Sequence, residues 1–161
     1  MGDDMAAMSN DVRILDDVDR TIVRALQRDG RTSNHTLAQE AGIAASTCVV
    51  RLRSLRERGV LRGIHADVDP AALGLSLQAM IAVSLRPDRR AAVGDFATEV
   101  AARPYVVNAF YVSGSYDHLV HVAAADSEAL REIVNDLSSM TAVAGTETHL
   151  IFDHVAGRIR T

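Results

Sequence analysis

The sequence predicts an α+β chain in two parts. A helical N-terminal part ends in a strand, and a C-terminal part follows the order β-α-β-β-α-β. Three observations predict it. Before residue 60, apolar residues recur three and four positions apart, the period of helices buried on one face. Beyond it they alternate, or run in short branched blocks that suit strands, with two helical stretches between. The charge is also segregated. Residues 1–30 carry four Arg against seven Asp, residues 31–64 six Arg against two Glu, and residues 65–161 seven Arg against twelve acids. Net charge is therefore −3, +4 and −5 in turn, and no lysine contributes.

The 161 residues suffice for one ordinary domain or two small ones, and 48% hydrophobic with 24% charged residues is a globular composition. With no Trp and few aromatics, the cores should be aliphatic. One cysteine, Cys48, excludes an internal disulfide and fits a reducing compartment. The start, MGDDMAAMSND, lacks the basic region and apolar run of a signal peptide, and runs such as AMIAV are too short for a bilayer. These features predict a cytoplasmic protein with no membrane partner.

Residues 1–14 read as a flexible tail. LDDVDRTIVRALQRDG then reads as a helix with Leu15, Val18, Ile22 and Leu26 on one face, Asp16 or Asp17 as its cap and Gly30 to end it. In RTSNHTLAQEAGIAAS, Thr32 or Ser33 can cap a short helix that turns Leu37, Ala38 and Ala41 inward. Gly42 should stop it, and Ile43 should plug the corner. A third helix is expected from near Ser46 to about Arg58, with Gly59 after it and Cys48, Leu52 and Leu55 as its seam. Thr47, Arg51, Ser54 and Arg58 form a second stripe on that helix, expected to face outward. Two short helices joined by a Gly-containing turn, the second with a polar and basic outer face, make a helix-turn-helix. In VLRGIHADVDP, Ile64, Ala66 and Val68 alternate with His65, Asp67 and Asp69, which predicts a strand and hence a winged helix-turn-helix over residues 15–69.

Residues 70–161 change character. LSLQAMIAVSL, PYVVNAFYVSG, SYDHLVHVAAAD and AGTETHLIFDHV read as four strands. Val93, Phe96, Ala97 and Val100 form one helical face, and Leu130, Ile133, Val134 and Leu137 another, the latter capped by Ser127. The order βαββαβ is the ferredoxin-like split repeat. Its two helices cover one sheet face, so the other should drive oligomerisation.

A bounded basic block beside acidic segments points to nucleic acid, because neutralising phosphate drives that binding. A solvated helix face is the bland reading of the arginines, and the helix-turn-helix spacing weighs against it. Ser46, Thr47, Val50 and Arg51 sit where the start of a recognition helix reaches base edges, and Arg51 can pair with guanine through two hydrogen bonds. Arg53 and Arg56 lie off the stripe and are expected to touch phosphate or pair within the chain. The DNA-binding candidates are thus Ser33, Ser46, Thr47, Val50, Arg51, Arg53, Ser54 and Arg58. Cys48 lies on the buried seam and reads as a small hydrophobe rather than a redox group. His118 and His121 are three apart on a strand and point to opposite faces, so they cannot chelate one ion, and no metal site is expected. There is one Cys, and no G-x-S-x-G motif, phosphate loop or carboxylate pair beside a base on one element occurs. The expectation is a protein that is not an enzyme and needs no cofactor.

The motifs LDDVDRTIVRALQRDGR, LAQEAGIAASTCVVRLRSLRERGVLRGIHADVDPAALG and YVSGSYDHLVHVAAAD, in this order and spacing, resemble the leucine-responsive regulatory protein (Lrp)/AsnC family of transcription regulators over about residues 15–155. The resemblance implies sequence-specific binding to double-stranded operator DNA and a C-terminal domain that senses a small amino acid. It also implies homodimers that assemble further, commonly into octamers. It places an effector crevice at Tyr111, Gly114, Asp117, Thr146, His149 and Leu150, with Asp117 on the ligand's ammonium and the Gly114 turn in close backbone approach. One departure stands out: where the family often has Ser-Pro before the recognition helix, this chain has Ala44-Ala45, which passes the cap to Ser46. Two other classes compete with this reading. One is an architectural DNA-wrapping protein without an effector, and the other is a ferredoxin-like dimeric enzyme, which leaves the basic helix-turn-helix unexplained.

Overall fold

The structure, a computed structural model, describes residues 15–88, 93–155 and 157, so the tail expected over 1–14 lies outside the described residues. The described chain divides into two compact units, the first reaching Asp67 and the second beginning at Val68.

The first unit holds α1 (Asp17–Arg28), α2 (Asn34–Glu40) and α3 (Ala45–Glu57). Asp16 caps α1, its carboxylate accepting the Asp19 N–H at 2.8 Å. The helix stops at Asp29, whose backbone is extended. Gly30 is therefore not the left-handed terminator the sequence suggests. Its role is close approach: a Cβ there would lie 2.7 Å from Cγ2 of Ile64. Ser33 caps α2 by accepting the Thr36 N–H at 3.1 Å. Gly42, at φ 65°, turns the chain in a region that other residues rarely enter, and the Ile43 N–H closes the corner on the Ala38 carbonyl. α3 begins one residue earlier than expected. Ala44 occupies the cap position without a side-chain hydrogen bond, and Ser46 is already inside the helix. Ile22, Ala25, Leu37, Ala38, Cys48, Leu52 and Leu55 form the core of this unit. Each large aliphatic buried there stabilises by roughly 1.5–3 kcal/mol.

The strand expected over residues 62–69 does not form. A strand needs a neighbour to receive its hydrogen bonds, and the alternating residues find none among the described residues. Ile64 and Val68 stay exposed. A 3-10 turn, Pro70–Leu73, follows, with the Asp69 carboxylate accepting the Ala71 N–H.

The second unit holds β1 (Leu77–Leu85), α4 (Val93–Ala101), β2 (Val106–Tyr111), β3 (His118–Ala124), α5 (Ser127–Ser139) and β4 (Val143–Ile151). The sheet order is β2-β3-β1-β4 and the strand pairings among the described residues are antiparallel, which is the ferredoxin-like arrangement that the element order implied. Alternate residues Ala79, Ile81, Val83 and Leu85 of β1 meet Val120 and Val122 of β3 in one core with Phe96, Val100, Leu130, Ile133 and Leu137 of the helices. The Val93 side chain, expected on this face, lies outside what is described. Asp126 caps α5 in place of Ser127, its carboxylate accepting the Ala129 N–H at 2.9 Å. On the opposite sheet face, Met80 and Leu119 are half-buried and Phe110 is exposed.

Candidate DNA-reading helix and effector crevice

The orientation of α3 follows from its seam. With Cys48, Leu52 and Leu55 buried, 3.6 residues per turn place Ser46, Val50, Arg53 and Glu57 along the opposite line. All four are exposed. Thr47 and Ser54 flank this line on one side, Val49 and Arg56 on the other. Val50, at 66% exposure, stands near the middle.

Arg51 and Arg58 depart from the outward stripe the spacing suggested. Both turn toward α1. Arg51 donates to Asp16 and, at 3.1 Å, to Oδ1 of Asp19, and Arg58 donates to Oδ2 of Asp19 at 3.0 Å. Asp19 is only 2% exposed. A carboxylate that far from water needs compensating hydrogen bonds, and the two guanidiniums supply them. The Asp19 N–H, and next the Arg51 guanidinium, hold the Asp16 carboxyl below its ordinary range, and the two carboxylates raise Arg51 in turn. Arg53 and Arg56 are exposed, with no ion partner among the described residues. The Ser33 hydroxyl is engaged as the α2 cap. Cys48 is fully buried, and burial pushes its thiol up, which removes thiolate character.

Asp19 was the residue that sequence reasoning missed. Its signal was present: it lies three residues before Ile22, on the inward face of α1, where an unpaired charge cannot stay.

The effector candidates divide between the two sheet faces. Across the sheet, Tyr111 stands opposite His118, His118 opposite Val83, and Val83 opposite Thr146. Tyr111 and Thr146 thus occupy the two edge strands of one row, three strand spacings or roughly 14 Å apart. Both lie on the helix-covered side: the Tyr111 ring is 5.5 Å from that of His118, and the Thr146 hydroxyl lies 3.0 Å from that of Ser138 on α5. Leu150, opposite Ala79, shares this side, and His149, opposite Met80, points to the other. One chain does not bring these residues together.

The β2–β3 turn is held from within the sheet. The Asp117 N–H donates to the Val83 carbonyl, and its Oδ2 accepts the Leu85 N–H at 2.7 Å, beside the register shift at Ser84/Leu85. Asp117 is therefore committed to the backbone of β1, a structural duty the sequence did not reveal. Gly114 adopts φ 125°, which requires glycine, but a Cβ there would meet nothing within 4 Å. Conformation, not crowding within the chain, accounts for this glycine. Tyr116 donates its hydroxyl to Glu147, whose other oxygen lies 3.4 Å from Nε2 of His149, and the bond raises the Tyr116 pKa. His118 and His121 face opposite ways as the strand period requires: His118 lies against Phe96, and His121 against the Gln78 side chain at 2.9 Å. No helix among the described residues is long and apolar enough to cross a membrane.

Comparison with known proteins agrees with this two-part construction. Residues 15–56 match the AsnC-type helix-turn-helix domain, and residues 78–159 match the Lrp/AsnC ligand binding domain. The HTH-type transcriptional regulator AldR of Mycolicibacterium smegmatis is 48% identical over 146 residues, covering 90% of this chain and 85% of that protein. The leucine response regulatory protein LrpA of Mycobacterium tuberculosis has the same fold, with a TM-score of 0.79 and 30% identity over 89% of this chain and 96% of that one. A transcriptional regulator of Neisseria meningitidis, solved as a complex with L-Met, gives a TM-score of 0.78 and 30% identity over 92% and 96%. With both domain types in order and the relatives named as regulators rather than enzymes, the chain belongs to the Lrp/AsnC family of DNA-binding transcriptional regulators.

Proposed function

We propose that this regulator recognises a double-stranded operator through the outward face of α3, and that a small amino acid in a crevice between copies of the chain tunes its DNA affinity. The observation that carries this reading is the junction, in one chain, of a basic helix-turn-helix and a sheet domain matching a ligand-binding family over residues 78–159. The neighbour solved with L-Met supports an amino acid as the class of effector. The division of Tyr111, Thr146, Leu150 and His149 between edges and faces supports a crevice completed by a second chain. The half-covered sheet supports a homodimer that assembles further, to an octamer by family resemblance. A ligand shifts an equilibrium only by binding its two states unequally, and a crevice whose walls belong to different subunits changes shape whenever they rotate.

The test measures affinity for operator DNA recovered with the protein, with and without each of twenty amino acids. Wild type is expected to respond to at least one. Asp117→Asn keeps an oxygen for the Leu85 N–H while removing the charge, and is expected to lose the response and retain effector-free DNA binding. A wild type that ignores the whole panel points to an architectural DNA-wrapping protein. An undiminished response in Asp117→Asn removes Asp117 from the site.

A further inference from the structure

Val50 is a β-branched residue with 66% exposure, at the centre of the outward line of α3. Branching at Cβ lowers helix propensity, and at this exposure little burial offsets the loss. Apart from Val49 beside it, 45% exposed, the outward surface around it is small or polar: Ser46 and Thr47 lie one turn earlier, Arg53 and Ser54 one turn later. The arginines divide by position. Arg53 and Arg56 project from α3, and Arg51 and Arg58 are drawn back onto Asp16 and Asp19. A duplex that meets this face receives Arg53 and Arg56 at its phosphates and the Val50 side chain at its base edges. Charge complementarity between the exposed Arg53 and Arg56 and phosphate thus selects DNA as the occupant. The major-groove edge of a base pair presents one apolar group, the C5-methyl of thymine.

We infer that Val50 is a specificity-determining residue that reads a thymine methyl in each half-site, and that Arg51 and Arg58 are positioning residues that lock α3 onto α1. This rests on the proposed reading of operator DNA by α3. It differs from the assignment that side-chain chemistry alone suggests, in which Arg51 reads guanine.

The experiment selects preferred duplexes from a random pool with the full-length protein. Each thymine of the selected duplex is then replaced in turn by deoxyuridine, which lacks only the methyl. Wild type is expected to lose roughly fourfold in affinity at one thymine per half-site, the size of one buried methyl group. Val50→Ser, a change at an exposed position, is expected to bind the thymine and deoxyuridine duplexes equally, with an unchanged thermal midpoint. Arg51→Ala is expected to keep the deoxyuridine penalty and to lower the thermal midpoint. The inference is overturned if no thymine shows the penalty in wild type, or if Val50→Ser retains it in full. It is also overturned if Arg51→Ala abolishes preference for a guanine at an unchanged midpoint. Failure to select any sequence overturns the operator reading itself, which separates the two.

Discussion

Asp19 in the DNA-binding unit and Leu137 in the sheet unit lie at almost equal depth, at 2% and 0% exposure, yet they hold their surroundings by different physics. Leu137 belongs to a layered aliphatic core in which two helices cover one face of four strands. Its contribution scales with area and is indifferent to direction. Asp19 contributes through two directed ion pairs, to Arg51 and Arg58, that span α1 and α3. Three short helices enclose a smaller core, and apolar contact alone would let α3 rotate or slide at little cost. Two guanidiniums fixed on one carboxylate do not allow that. The lesson is that the unit which must present a helix face in one orientation adds directional ion pairs to a small apolar core, whereas the sheet unit draws chiefly on buried area.

The comparison can be tested from its strongest side. Leu137→Ala should cost about 2–5 kcal/mol through lost transfer energy and the cavity left behind. Hydrogen exchange across a urea series should place that loss in the sheet unit. Equal loss of protection in α1–α3 would mean that the units do not unfold separately. Asp19→Ala should cost about 3 kcal/mol, at the low end for breaking a buried pair because Arg51 and Arg58 can partly regain water. Here the loss should fall in the DNA-binding unit, with weaker DNA binding as α3 loosens. An unchanged exchange pattern would reduce the Asp19 cluster to an incidental contact.

The smallest effect is a separation in pH. Burial, and next the neighbouring His154, depress His121 below the ordinary histidine value, so the unfolded chain takes up its proton first. Stability from this group is present above about pH 6.5 and declines as pH falls through the lower folded value. Asp16 is also depressed, by the Asp19 N–H first and then Arg51. Its contribution holds above about pH 3.9 and is lost only below that, as pH falls through the folded value. Urea midpoints followed per unit from pH 8 to 3 should therefore drop first in the sheet unit. A DNA-binding unit that weakens first would reverse the assignment.

The features legible in the sequence share one character. The seam Cys48, Leu52 and Leu55, the Ser33 cap, the turn at Gly42 and the βαββαβ order depend on residues a few positions apart, so their spacing already encodes them. Asp126 and Ser127 show the limit of that logic: both types cap helices, they are adjacent, and only the backbone selects Asp126. The effector candidates show another limit. Family spacing places Tyr111 and Thr146 in one crevice, and the register sets them on opposite edge strands of one chain.

By itself the sequence determined where the helices and sheet strands lie, which faces they bury and where positive charge collects. These are properties of period and composition, set by side-chain hydrophobicity along a local geometry. The tertiary structure alone decided what the polar groups do. It turned Arg51 and Arg58 from the outer surface to Asp19, 32 and 39 residues earlier in the chain. It bound Asp117 to the Leu85 N–H, and it left residues 62–69 without a ladder. The physical reason is range. Burial is decided residue by residue along an element, whereas a hydrogen bond or ion pair needs a partner whose position exists only once distant segments have packed.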